Sequence, residues 1–127
     1  MNILVIEDHP TELKLTNHVL ESSGHDVNGL DAAERAFDAI RLKKPDLILL
    51  DMQLPGMNGL ELARLLRVDP STSDILIVAV TSHPERFSKP AALEAGCDAY
   101  LVKPLSTRTL PRDLDQLVAA RDRSPIA

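Results

Sequence analysis

The sequence is poor in the features that mark several functional classes. Cys97 is the single cysteine in 127 residues, which rules out an internal disulfide and any multi-cysteine metal site and fits a reducing compartment. No window is rich in lysine and arginine, and the formal net charge is -5 with a pI near 5.3. The positive footprint that phosphate-backbone binding requires is therefore missing, and direct nucleic-acid binding is not expected. Apolar runs such as Leu47 to Leu50 are far too short for a bilayer, and Met1 leads straight into a strand-like segment with no signal peptide. No membrane association and a cytoplasmic location are expected. Neither a glycine-rich dinucleotide loop nor a G-x-x-x-x-G-K-[ST] loop follows the first apolar run, which disfavours a nucleotide-binding protein. Repeats, linkers and low-complexity segments are also missing.

What remains is one ordinary globular domain. A chain of 127 residues with 44% hydrophobic and 26% charged content has room for one core and should fold alone. Ile3 to Ile6, Leu47 to Leu50 and Ile75 to Val80 are continuous apolar runs of strand length, as strands buried on both faces should be. Weaker runs lie at Asp26 to Leu30 and Ala99 to Val102. Helical segments fall between them, at Thr11 to Ser23, Asp31 to Lys43, Gly59 to Val68, Ser88 to Ala95, and one ending near Arg121. Asp31-Ala32-Ala33-Glu34 reads as a capping box, Gly24 and Gly96 as left-handed C-terminal residues, and Pro10 as a first-turn proline. Strands joined by helices must run parallel with right-handed crossovers, so the expected fold is α/β, an open doubly wound five-stranded parallel sheet. Residues 1–122 form the domain in this reading, and 123–127 a frayed tail.

In such sheets ligands bind beyond the carboxyl ends of the strands. Glu7 and Asp8 follow the first strand, Asp51 the third, Thr81 and Ser82 the fourth, and Lys103 the fifth, so all fall at one edge. Crowded carboxylates repel and favour a hard cation as the neutralising partner. Magnesium suits oxygen ligands and phosphoryl chemistry, and no histidine or cysteine has spacing suited to zinc. Lys103 can then hold a phosphoryl oxygen, Thr81 can donate a hydroxyl, and Asp51 is left as nucleophile. An aspartate at a strand end is often only a helix cap, and a lysine before Pro104 is often only solvated. It is the convergence of these groups, with apolar strand interiors behind them, that points to a site.

Across nearly its whole length the sequence resembles the receiver domain of two-component response regulators. The resemblance is carried by Ile3 to Asp8, by Pro45-Asp46-Leu47-Ile48-Leu49-Leu50-Asp51-Met52-Gln53-Leu54-Pro55-Gly56-Met57-Asn58-Gly59, by Val80-Thr81-Ser82 and by Tyr100-Leu101-Val102-Lys103-Pro104. It implies a flavodoxin-like (βα)5 fold and phosphorylation of Asp51. It also implies magnesium on Asp8, Asp51 and the Gln53 carbonyl, with Glu7 acting mainly through waters. Thr81 and Lys103 would hold the phosphoryl oxygens, and Thr81 and Tyr100 would form the conformational switch. The implied donor is the phosphohistidine of a sensor histidine kinase or phosphotransfer protein. Gln53 and His83 occupy positions where the family varies residues that set phosphoryl lifetime, whereas His9, His18 and His25 read as solvated surface.

A downstream protein partner is expected on the face made by the fourth helix, fifth strand and fifth helix. Pro90 and Pro111 depart from regular helices there, predicting a short fourth helix and a fifth that starts near Thr109. They either adjust the helix starts or remodel the partner surface. A stand-alone receiver is the first expectation, and a piece of a hybrid kinase or multidomain regulator the alternative. A haloacid-dehalogenase-type phosphatase would need a second acid where Gln53 stands, and a pseudo-receiver would lack Asp8, Asp51 or Lys103.

Overall fold

The computed structural model describes residues 1–123. Its elements alternate as β1 (Asn2–Ile6), α1 (Pro10–Ser22), β2 (Asp26–Leu30), a 3-10 turn (Ala33–Arg35), α2 (Ala36–Leu42), β3 (Leu47–Asp51), α3 (Gly59–Val68), β4 (Leu76–Thr81), α4 (Lys89–Glu94), β5 (Ala99–Val102) and α5 (Leu110–Arg123). The five strands form one parallel sheet in the order β2-β1-β3-β4-β5. Of the expected tail, Arg123 ends α5 and the rest lies outside the described residues. No helix among the described residues is long and apolar enough to cross a membrane.

Strand burial follows position in the sheet. β3 and β4 are buried at every residue, while the edge strands β2 and β5 are not, which explains why the central pair reads as continuous apolar runs and the edges do not. Alternate residues of each strand feed opposite faces. Leu4, Ile6, Ile48 and Leu50 pack with α2, α3 and α4 residues such as Ile40, Leu62 and Ala92. Ile3, Val5, Leu47 and Leu49 pack with Leu20 of α1 and Leu110 and Leu114 of α5. Cys97 is buried within the first cluster, and burial pushes its thiol up to about 11.

The punctuation departs from the sequence reading in one segment. The expected capping box at Asp31 to Glu34 is not made, and the expected helix from Asp31 to Lys43 is a 3-10 turn followed by a seven-residue α2. Asp31 instead pairs with Arg35 at 3.2 Å, and Glu34 turns away to the loop after β3. The capping box sits at Asn58, whose Oδ1 accepts the Glu61 amide at 3.0 Å while the Glu61 carboxylate accepts the Asn58 amide. The pattern Asn58-Gly59-Leu60-Glu61 carries that signal in the sequence. His25 is a second correction, because its side chain is only 10% exposed and lies between the N-terminal amine and Asp115 of α5.

Both prolines stand second in their helices, and only the lengths that follow differ. α4 is six residues long, with Pro90 in its first turn behind the Ser88 cap. α5 starts at Leu110 with Pro111 second and is 14 residues long in all, so Pro111 only sets the start of a long helix.

Away from the strand ends that carry the acidic residues, Arg67 joins three segments. Its guanidinium donates to the carbonyls of Gly96 (2.7 Å), Ser73 (3.0 Å) and Ile75 (2.6 Å) and to the Asp98 carboxylate (2.6 Å). Asp98 in turn accepts the Ile77 amide at 2.8 Å. Removing the fork strands several carbonyls and one carboxylate at once. Arg67→Ala is expected to lower unfolding free energy by about 2–3 kcal/mol, read as a reduced urea midpoint with unchanged slope.

Candidate functional site

The strand order reverses between β1 and β3, and a crevice opens above their carboxyl ends. Ile6 is in register with Leu50, so the next residues, Glu7 and Asp51, stand side by side at the mouth. Glu7 is fixed there by its amide, which bonds to the Leu30 carbonyl at 2.9 Å. Asp51 is 5% exposed. α3 starts hard against the end of β3: a Cβ at Gly59 would fall 2.5 Å from the Asp51 carbonyl oxygen, so that position admits only glycine.

The charges are then paired unevenly. Lys103, just past β5, donates to Glu7, to Glu12 of α1 at 2.9 Å and to Asp51 Oδ2 at 3.1 Å. The other Asp51 oxygen accepts the Gln53 amide at 3.1 Å. Burial alone would lower the Lys103 pKa, but hydrogen bonds to Glu7 and Glu12 and the charge of Asp51 more than offset it and hold the ammonium well above its ordinary value. Asp8 is less well served. Its Oδ1 is buried without a hydrogen-bond partner, with the His9 ring 3.4 Å away.

Oxygens of Glu7, Asp8 and Asp51 and a ring nitrogen of His9 all lie within 4.8 Å of one another. Crowded carboxylates with an orphaned oxygen match the requirements of a hard divalent cation, and the oxygen-rich donor set suits magnesium. Asp8, His9, Asp51, Gln53, Leu54, Pro55, Ser82 and His83 line a cleft of about 390 Å³ at this point. The structure therefore brings Glu7, Asp51 and Lys103 into direct contact, with the Gln53 amide on Asp51 and an Asp8 oxygen within 4.8 Å of oxygens of Glu7 and Asp51.

Thr81 is fully buried at the end of β4, where its Oγ1 accepts the His83 amide at 2.9 Å and its carbonyl accepts the Lys103 amide at 2.8 Å. Tyr100 lies apart from the carboxylates. It is half-buried on β5, and its hydroxyl donates to the Phe87 carbonyl at 2.5 Å. Burial and the Glu85 charge both raise its pKa, so the phenol stays protonated and remains a donor.

Two participants escaped the sequence reading. His9 is exposed, as surface histidines are, yet its ring lies 3.3 Å from Glu7, 3.4 Å from Asp8 and 3.5 Å from Glu12. The hydrogen bond to Glu7, followed by the charges of Asp8 and Glu12, raises its pKa. In the sequence Glu12 reads only as part of a helix. Its spacing from His9, three residues within the first turn of α1, was the available signal.

Lys103 faces Glu7 and Asp51, both almost fully buried, so its removal leaves two carboxylates in mutual repulsion. Lys103→Met is expected to cost about 2–3 kcal/mol of stability, and adding Glu7→Gln to recover roughly half of it by removing one charge. Because the folded pKa of Lys103 is raised above 10.5, this contribution is fully present below that value and is lost only as pH rises past it. Urea unfolding between pH 6 and pH 9 should show a constant gap between variant and wild type.

Comparison with known proteins identifies the family of the chain. The model of the response regulator receiver domain matches residues 3–115. The DNA-binding response regulator MtrA of Mycolicibacterium smegmatis is 37% identical over 95% of this chain, which spans 50% of the length of MtrA. The polar-differentiation response regulator DivK of Brucella anthropi is 33% identical over 91% of this chain and 92% of its own. The receiver domain of the sensor histidine kinase PA1611 from Pseudomonas aeruginosa is 27% identical and superposes with a TM-score of 0.83 over 93% of this chain and 97% of its own; it holds a magnesium ion coordinated in its active-site cleft. Receiver domains are signalling modules of two-component systems, and this chain belongs to the response regulator receiver family.

Proposed function

We propose that this receiver accepts a phosphoryl group on Asp51 from the phosphohistidine of a sensor kinase or phosphotransfer protein. The observation that carries the reading is the state of Asp51: a nearly buried carboxylate in contact with an ammonium and a backbone amide, beside an open acidic cleft. An Asp51 oxygen forms the new O–P bond as the donor's N–P bond breaks, and the electron pair returns to the imidazole. Such a transfer needs mainly positioning and charge neutralisation. Asp8, Asp51, the Gln53 carbonyl and, through waters, Glu7 would hold magnesium, which neutralises charge on the transferring group. Lys103 takes one phosphoryl oxygen and the Thr81 hydroxyl donates to another.

The same residues supply an output. The His83 amide is hung on Thr81 Oγ1, the His83 carbonyl accepts the Phe87 amide at 2.9 Å, and the Phe87 carbonyl accepts the Tyr100 hydroxyl. A shift of Thr81 toward the phosphoryl group is thereby passed to Tyr100 and to the face made by α4, β5 and α5, where a downstream protein partner binds. This supports Thr81 and Tyr100 as the switch pair. Gln53 and His83 both line the cleft, which supports their control of phosphoryl lifetime. A cytoplasmic protein, either a stand-alone receiver in the manner of DivK or the receiver of a longer regulator, fits this reading.

Incubation with magnesium and phosphoramidate, followed by intact mass, should give one acid-stable, base-labile phosphoryl adduct on the wild type and none on Asp51→Ala. A wild type that neither forms the adduct nor binds beryllofluoride with magnesium overturns the reading. For the lifetime, His83→Ala and Gln53→Ala should each change the rate of adduct loss by about threefold or more, equivalent to about 0.7 kcal/mol of barrier; unchanged rates dismiss that role.

A further inference from the structure

Glu34 caps no helix, yet its carboxylate is well placed for another purpose. Its Oε2 accepts the Met57 amide at 3.0 Å, reaching from the 3-10 turn after β2 to the loop between β3 and α3. The same oxygen lies over Gly56, which has φ +73, and a Cβ there would come within 2.3 Å of it. Glycine alone allows both the left-handed backbone and the close approach of the carboxylate. The Met57 amide also holds Glu34 below the ordinary carboxylate value, so the acceptor stays charged at neutral pH.

The loop so held begins at Asp51. Its first turn is fixed by the Gln53 amide on Asp51 Oδ1 and by buried Leu54, and its last by the Asn58 box. Pro55 and Gly56 between them are exposed, and Glu34 crosses over at that stretch. We infer that Glu34 is a positioning residue for the cation site, clamping Gly56 and Met57 so that the loop presents the Gln53 carbonyl beside Asp51. The inference rests on the reading of Asp51 and its neighbours given above. Without the clamp the loop samples other conformations, and the apparent cation affinity falls with the fraction that remains competent.

The test compares wild type, Glu34→Ala and Glu34→Gln by amide exchange at Met57, by calorimetric titration with magnesium chloride alone, and by urea unfolding. Glu34→Ala should speed Met57 exchange about tenfold, the size of one hydrogen bond to a charged group, and raise the magnesium dissociation constant about threefold or more. Glu34→Gln keeps an acceptor oxygen at the same reach and should return both values to within about twofold of wild type. Magnesium affinity unchanged in Glu34→Ala, whether or not Met57 exchange and the urea midpoint move, overturns the inference and leaves Glu34 at most a stabilising contact. A wild type that does not bind magnesium overturns the cation site itself, and the inference with it.

Discussion

The organising constraint of this molecule is like-charge crowding at one end of a parallel sheet. The topology forces the residues after β1 and the last residue of β3 together, and those residues are acids. Glu7, Glu12 and Asp51 share one ammonium, that of Lys103, and Asp8 is left with an oxygen that has no hydrogen-bond partner. Such an arrangement persists because the hydrophobic sheet behind it, buried on both faces along β3 and β4, holds the backbone regardless of what the side chains prefer. The energy stored as repulsion is available to whatever positive charge enters.

Part of the fold's stability is drawn from contacts well away from the acidic mouth. The Arg67 fork ties the end of α3 to the start of β4 and to the turn before β5, using backbone carbonyls that belong to no ligand site. The acidic mouth can then remain electrostatically unfavourable without the domain losing its architecture. This is the usual division in doubly wound sheets, in which loops at one edge carry chemistry while the framework carries packing.

The sequence disclosed the framework and the acids but not how side chains cross between loops. β3, β4 and α3 were readable because central strands need unbroken apolar runs and α3 has a clear apolar stripe. Asp51, Lys103, Glu7 and Asp8 were readable because their positions follow from strand ends alone. The segment after β2 was misread, since Asp31 and Glu34 have the right spacing for a box but find better partners in Arg35 and Met57. His25 reads as solvated in the sequence but lies against Asp115 of α5, whereas His9 is exposed as expected and only its reach to the acid cluster is not legible. Glu34 and His25 find partners on other elements, where local spacing carries no information, whereas the partners of Asp31 and His9 are their own near neighbours in sequence.

The route from Thr81 to Tyr100 runs almost wholly through main-chain groups: an amide of His83, a carbonyl of His83, an amide and a carbonyl of Phe87. Only its two ends are side chains. Under the proposed switch, the intervening loop could exchange its own side chains to suit a new client while transmission is preserved, provided its backbone keeps the same turn. On that proposal, addressing and signalling would be written on separable parts of one short loop.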